Sequence, residues 1–229
     1  MRLVEDACLA HWDFRFVLYD ETLSERGKLQ VESLKLKGVE VEEITTNLMK
    51  SLSDTETPQG IIAVLELPNL PDSNSQFTHS PNFILIPDQI RDPGNLGTLL
   101  RSAAAAGVQS IIIPPETTDA FAPKVLRAGM GAHFRLPIDS MTWDEIDQTV
   151  KSANLQVFLA DMDGQPCWDV DLRQPLALII GGEADGASQS ARALAQKIKI
   201  PMNGDIESLN AGVAGSVLMF EVLRQRSKI

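Results

Sequence analysis

Leu178-Ile-Ile-Gly-Gly-Glu-Ala-Asp-Gly-Ala-Ser188 decides how this chain folds. An apolar strand runs straight into two glycines and two carboxylates, and Ser188 stands where a cap would start the next helix. The glycines at 181, 182 and 186 miss the G-x-G-x-x-G spacing because Glu183 holds the third position, so this is no dinucleotide fingerprint. In an open α/β sheet, ligands bind outside the carboxyl ends of the strands, and a nucleoside is expected at this turn.

Outward from this turn, residues 82–229 alternate strand and helix, the pattern of a mostly parallel sheet. Strands are expected at Phe83–Ile86, Ser110–Ile113, Gln156–Ala160, Leu176–Ile180 and Ile198–Ile200. Helices are expected at Leu96–Ala106, Phe121–Arg127, Thr142–Ala153, Ser188–Gln196 and Ser208–Gln225. The stretch 67–81 is rich in Pro, Ser and Asn and reads as a linker. Before it, residues 1–66 form a small α/β module. Its strands are expected at Phe14–Tyr19, Val39–Ile44 and Gly60–Leu65, and its helices at Leu23–Leu36 and Thr46–Leu52.

Two further glycine-bearing turns stand out. In Asp88-Gln-Ile-Arg-Asp-Pro-Gly-Asn-Leu-Gly-Thr-Leu-Leu-Arg101, Asn95 is placed to cap a helix beginning at Leu96. Leu96, Leu100, Ala103 and Gly107 form its apolar stripe, and Arg101 falls at the edge, on the side where Gly97 leaves space. The other runs from Ile198 to Phe220: a short strand, a polar loop, then a helix begun near Ser208. That helix is small or apolar nearly all round and is expected to be buried, with Ala211, Gly212, Ala214 and Gly215 permitting close backbone approach. Ser208 and Asn210 at its mouth need partners; capping satisfies Ser208 more readily than Asn210.

Composition bounds the function. The chain carries 44% apolar and 22% charged residues, enough for a core. Its two cysteines, Cys8 and Cys167, lie far apart without clustered histidines, so neither a metal site nor a disulfide framework is expected. No signal peptide and no apolar run long enough for a membrane span is read, and a cytoplasmic protein is expected. A net charge of −11 taken alone argues against a nucleic-acid partner. Lys124, Arg127 and Arg135, with Arg91 and Arg101 nearby in sequence, form a candidate local basic patch.

In order and spacing, the three turns closely resemble the three motifs of the SpoU (TrmH-like) family of RNA 2′-O-ribose methyltransferases, within the SPOUT superfamily. The resemblance covers about 82–229, while residues 1–66 resemble the L30e-like RNA-binding domain often fused in front. It implies a C-terminal trefoil knot, an exception to the rule against threaded chains. It also implies S-adenosylmethionine as cofactor and RNA as partner, ribosomal rather than transfer RNA by analogy with two-domain members, and a homodimer through the knotted domain. Carried over motif by motif, Asn95, Arg101, Glu183, Ser208 and Asn210 become the candidate catalytic set, with Arg101 at the RNA. Leu159, Ala160, Asp161, Gly181, Gly182, Ile200, Met202 and Leu209 become the candidate cofactor contacts. Gly129 stands where the family commonly has serine. A protonated arginine is a poor base, so Arg101 reads as an orienting or electrostatic group. An alternative from another class is a non-catalytic RNA-binding or assembly protein of the same fold; a third is methylation of a base. The intact Asn95, Arg101, Glu183 and Asn210 argue for catalysis, and the Asn-x-Gly-x-x-x-Arg pattern favours ribose.

Overall fold

A computed structural model describes residues 1–67, 82–183, 186–204 and 208–227, so nearly all of the expected linker lies outside the described residues. The chain divides into two units, residues 1–69 and 70–229.

In the first unit, β1 (Phe14–Tyr19) lies between β2 (Glu40–Glu43), which it pairs in parallel, and β3 (Ile61–Leu65), which it pairs antiparallel. One helix, α1 (Arg2–Leu9), fits into the few residues before β1. Ser24 caps α2 (Glu25–Leu36), and Thr45 caps α3 (Thr46–Leu52), each by accepting an N–H three residues on. Val4, Val17, Leu23, Val31 and Leu34 form the small core.

The second unit is built on six strands, all parallel, in the order β6-β5-β4-β8-β7-β9. These are β4 (Phe83–Asp88), β5 (Ser110–Ile113), β6 (Ile138–Ser140), β7 (Gln156–Pro166), β8 (Leu176–Gly181) and β9 (Gln196–Lys199). The two central strands show why their sequences are continuously apolar. Phe83 and Leu85 of β4, with Leu176, Leu178 and Ile180 of β8, face one core. Ile84, Ile86, Ala177 and Ile179 face the other. Both faces are covered, as a parallel sheet requires, so alternation of polar and apolar residues disappears. Burying each Ile or Leu contributes roughly 1.5–3 kcal/mol.

Four helices position the site. Helix α4 (Pro93–Ala106) starts three residues earlier than the sequence suggested. Pro93 fits the first helical turn, whose N–H would be orphaned anyway. The Asp92 side chain, not that of Asn95, caps the helix, accepting the Asn95 N–H at 2.8 Å. Nor does Gly97 leave room for Arg101: a Cβ there would lie 2.3 Å from Ala128 Cβ, because α5 (Pro123–Gly129) packs directly against it. Beyond α6 (Trp143–Ser152), helix α7 (Gln189–Leu194) is capped by Ser188 as expected, though β9 begins at Gln196. Helix α8 (Ala211–Arg226) begins after Asn210, which is its cap. Its Gly212 and Gly215 press on Thr98 and Leu99 of α4. It is not buried all round: Val213 and Phe220, seven residues apart on one face, remain about half exposed. No helix among the described residues is long and apolar enough to cross a membrane.

Candidate active site

The carboxyl ends of β7, β8 and β9 and the amino end of α8 enclose a cleft of about 470 Å³. That volume suits a nucleoside-sized ligand. One wall is built by a detour in β7. Its Ala160 pairs with Ile198, the chain then bulges outward, and Gln165 returns to pair with Ile198 again. Gly164 permits this crossing, since a Cβ would sit 2.5 Å from the Ile198 nitrogen. The displaced residues, Asp161–Asp163, line the cleft.

The second wall is the glycine turn. Gly182 lies on the end of β4, where a Cβ would come 2.3 Å from the Gln89 carbonyl oxygen, and its N–H bonds Gly186 O at 3.1 Å. Side chains are excluded along this wall and backbone is offered to whatever occupies the cleft. Ile200, Met202, Ser208 and Leu209 close the third side.

A chain of side-chain hydrogen bonds runs along the rim. Asn95 donates its Nδ2 to Glu183, and Asn210 donates its Nδ2 to Asn95 Oδ1 at 2.9 Å. Asn210 Oδ1 in turn accepts the Val213 N–H at 3.2 Å. The direction of the chain is fixed at both ends. A carboxylate only accepts, so Asn95 presents its amide to Glu183 and its oxygen to Asn210, while the helix N-terminus supplies the final donor. Asn210, which capping was not expected to satisfy, is satisfied by capping and by Asn95 together.

Charge concentrates at the far rim. Asp161 takes Arg192 Nη1 at 3.0 Å and Lys197 Nζ at 3.1 Å on the same carboxylate oxygen. Burial pushes its carboxyl upward, but the Asp163 N–H and the two cations outweigh it and hold it below the usual range. Arg192 also donates to the Ala187 carbonyl, tying the glycine turn to β7. Asp88, fully buried at the end of β4, is pushed the other way: desolvation raises its carboxyl despite the Ser188 donors.

Of the expected cofactor contacts, Ala160, Asp161, Gly181, Gly182, Ile200, Met202 and Leu209 line the cleft. Leu159 does not; its side chain belongs to the core on the opposite face of the sheet, one residue out of phase. Of the expected catalytic set, Asn95, Glu183 and Asn210 are bonded together, and Ser208 lines the cleft. Arg101 stands apart. It is exposed, lies roughly 9 Å along the helix axis from Asn95 at 1.5 Å per residue, and has no bond among the described residues. Lys124 and Arg127 of α5 are also exposed, as are Arg91 and Arg135. Sequence reading passed over Arg192 and Asp88. A cation one turn beyond a helix cap, and an acid closing an otherwise apolar strand, were the available signals. Among the described residues no group of three or more His, Cys, Asp or Glu is placed to hold a metal.

A parallel α/β domain with a backbone-lined cleft at its carboxyl edge and a Glu-Asn-Asn rim is the architecture to be matched with known families. The chain belongs to the SpoU rRNA Methylase family, whose model matches residues 82–220. Residues 1–63 match the MRM3-like substrate binding domain. The human mitochondrial rRNA methyltransferase 3 is 33% identical over an alignment spanning 83% of this chain and 59% of the relative. This chain thus spans under two thirds of that relative's length. A 23S rRNA (guanosine-2′-O-)-methyltransferase of Xylella fastidiosa is 32% identical, covering 86% of this chain and 83% of the relative. Among solved structures, the SpoU methyltransferase AviRb of Streptomyces viridochromogenes in complex with AdoMet superposes with a TM-score of 0.84 at 28% identity. The superposition covers 98% of this chain and 88% of that one.

Proposed function

We propose that the protein transfers a methyl group from S-adenosylmethionine to a ribose 2′-hydroxyl of ribosomal RNA. The observation that carries this reading is the Glu183–Asn95–Asn210 chain on the rim of a 470 Å³ cleft walled by backbone. Support comes from the named activities of its relatives, rRNA methyltransferases, and from AdoMet in a structure of the same fold.

When bound, S-adenosylmethionine supplies a methyl group already activated for transfer, so the protein needs neither metal nor covalent nucleophile. The residues of the cleft bind and aim. Gly181, Gly182, Ile200, Met202 and Leu209 take the nucleoside through close backbone approach. Asp161, held ionised between Arg192 and Lys197, fixes the β7 bulge against the glycine turn and so sets the shape of the rim. Asn95, Glu183 and Asn210 hold the edges of the cleft in one geometry, which is how alignment of a weak nucleophile gains several kcal/mol. Arg101, with Lys124 and Arg127, receives the RNA backbone on the exposed α4–α5 surface. A guanidinium stays protonated, so it orients the acceptor rather than removing its proton. The 2′-hydroxyl is the group that separates RNA from DNA.

Domain roles and assembly belong to the same proposal. Residues 1–66 hold the substrate, 67–81 link, and 82–229 carry the chemistry, with the C-terminal segment threaded as a trefoil knot. The half-exposed Val213 and Phe220 on α8 form the centre of a homodimer interface. Calorimetric titration with S-adenosylhomocysteine tests the cofactor reading. Saturable one-to-one binding per chain is expected; a folded protein that shows no binding would return the chain to the non-catalytic RNA-binding alternative.

A further inference from the structure

Asp88 takes no part in the rim just described, yet both described ends of the glycine turn rest on the end of its strand. It is the last residue of β4 and pairs with Gly181, the last residue of β8. Its Oδ2 reaches beyond that pair to accept the Ser188 N–H at 2.6 Å. The neighbouring Gln89, at φ +55°, turns its carbonyl under Gly182. Gly182 and Gly186 then close the neck of the turn by their backbone bond. The side chain is fully buried, and its Oδ1 has no partner among the described residues. An acid in that position costs free energy by desolvation, and a helix cap alone does not account for it, because Ser188 caps α7 with its own hydroxyl.

We infer that Asp88 is a positioning residue that fixes the glycine turn, and through it Glu183 and the Gly181–Gly182 and Gly186–Ala187 wall of the cleft. The geometry works by leverage. Glu183 follows the neck directly and meets Asn95, while Ser188 sits on the return side of the same neck. Releasing Ser188 frees the Gly186–Ala187 side, and the Gly182–Gly186 bond loses its fixed partner. Arg192, which holds Ala187 O, is the sole remaining side-chain tie on that side among the described residues. The inference rests on the cleft being the cofactor site.

The test compares Asp88→Asn with Asp88→Ala in the full chain. Asparagine keeps a carbonyl oxygen for the Ser188 N–H and replaces the unpartnered oxygen with an equally unpartnered amide; alanine removes the anchor. With S-adenosylhomocysteine as probe, Asp88→Asn is expected to bind within about threefold of the parent and Asp88→Ala at least about tenfold more weakly. The KM for S-adenosylmethionine should rise in the alanine variant while that for RNA stays unchanged. Amide hydrogen exchange supplies a readout independent of ligand. Ser188 N–H should be protected in the parent and in Asp88→Asn, and exposed in Asp88→Ala. Equal binding by a folded Asp88→Ala, equal loss in both variants, or an unprotected Ser188 amide in the parent would each overturn the inference. Should alanine fail to fold, the asparagine variant and the parent amide still decide it. A parent that binds no S-adenosylhomocysteine but protects Ser188 would instead refute the cofactor reading and leave the anchor standing.

Discussion

Replacing Asn210 with aspartate should leave the protein as stable as before and slow it about fivefold, whereas alanine should damage both stability and activity. Asn210 does two separable things: its Oδ1 caps α8 and its Nδ2 holds Asn95. Alanine loses the cap, about 1 kcal/mol, and a partly exposed hydrogen bond at the lower end of 0.5–1.5 kcal/mol. A total near 1.5 kcal/mol corresponds to a fall in Tm of roughly 3–6 °C for a domain of this size. Aspartate keeps the capping oxygen and adds a negative charge at a helix N-terminus, worth about 0.3–1 kcal/mol in favour. It offers Asn95 Oδ1 no donor, however, and brings a second carboxylate toward Glu183. The loss of about 1 kcal/mol from the rim is about fivefold in rate, since 1.36 kcal/mol is tenfold. Thermal melting beside single-turnover methyl transfer at saturating cofactor reads the two effects apart. An aspartate variant with full activity, or one as unstable as alanine, would refute the reasoning. A double-mutant cycle with Asn95→Ala should give a coupling near 1 kcal/mol, and simple additivity would show the two asparagines act independently.

Two further outcomes follow from packing and burial. Gly215→Ala places a methyl 2.3 Å from Leu99 Cδ2 and 3.2 Å from Ile180 Cγ1, so overpacking should cost about 1–3 kcal/mol. Denaturant unfolding reads that loss directly, and an unchanged midpoint would mean that α4 and α8 can separate freely. His133 is buried against Phe121, with Nε2 2.7 Å from Ala120 O and no partner on Nδ1 among the described residues. Desolvation holds its pKa below the ordinary 6.5. The unfolded chain therefore binds a proton at this histidine before the folded chain does, and stability should fall as pH drops below about 6.5. Melting between pH 7.5 and 5.5 should show that slope in the parent and lose part of it in His133→Gln; identical slopes would place the acid sensitivity elsewhere.

Much of the fold was legible because burial on both faces leaves an unmistakable mark. The strands β4, β5 and β8 read as apolar runs bounded by turn residues, and their positions hold. The three-residue β6, Ile-Asp-Ser, carries no periodicity and was passed over. The extension of β7 through Asp161–Pro166 was hidden by its polar bulge, which exists to line the cleft rather than to fill a core. Cap assignments failed in an instructive way. Asn95 and Ser208 each looked like a cap by residue type, yet Asp92 before Pro93, and Asn210, hold those places. Local propensity cannot say which of several nearby polar residues meets the helix end, because the choice depends on partners far along the chain. Asn95 reaches Glu183, 88 positions away, and Asn210 reaches Asn95, 115 away. Gly129 has a steric explanation closer at hand: a Cβ there would stand 2.8 Å from His133 Cε1. The same limit applies to Leu159, whose placement on the far face depends on strand phase.

The most direct test of the account is methyl transfer from labelled S-adenosylmethionine to ribosomal RNA, followed by digestion and identification of the methylated nucleoside. The account predicts label on a 2′-O-methyl ribose, abolished or strongly reduced by Arg101→Ala while S-adenosylhomocysteine binding persists. Label on a base, or undiminished transfer by Arg101→Ala, would contradict it.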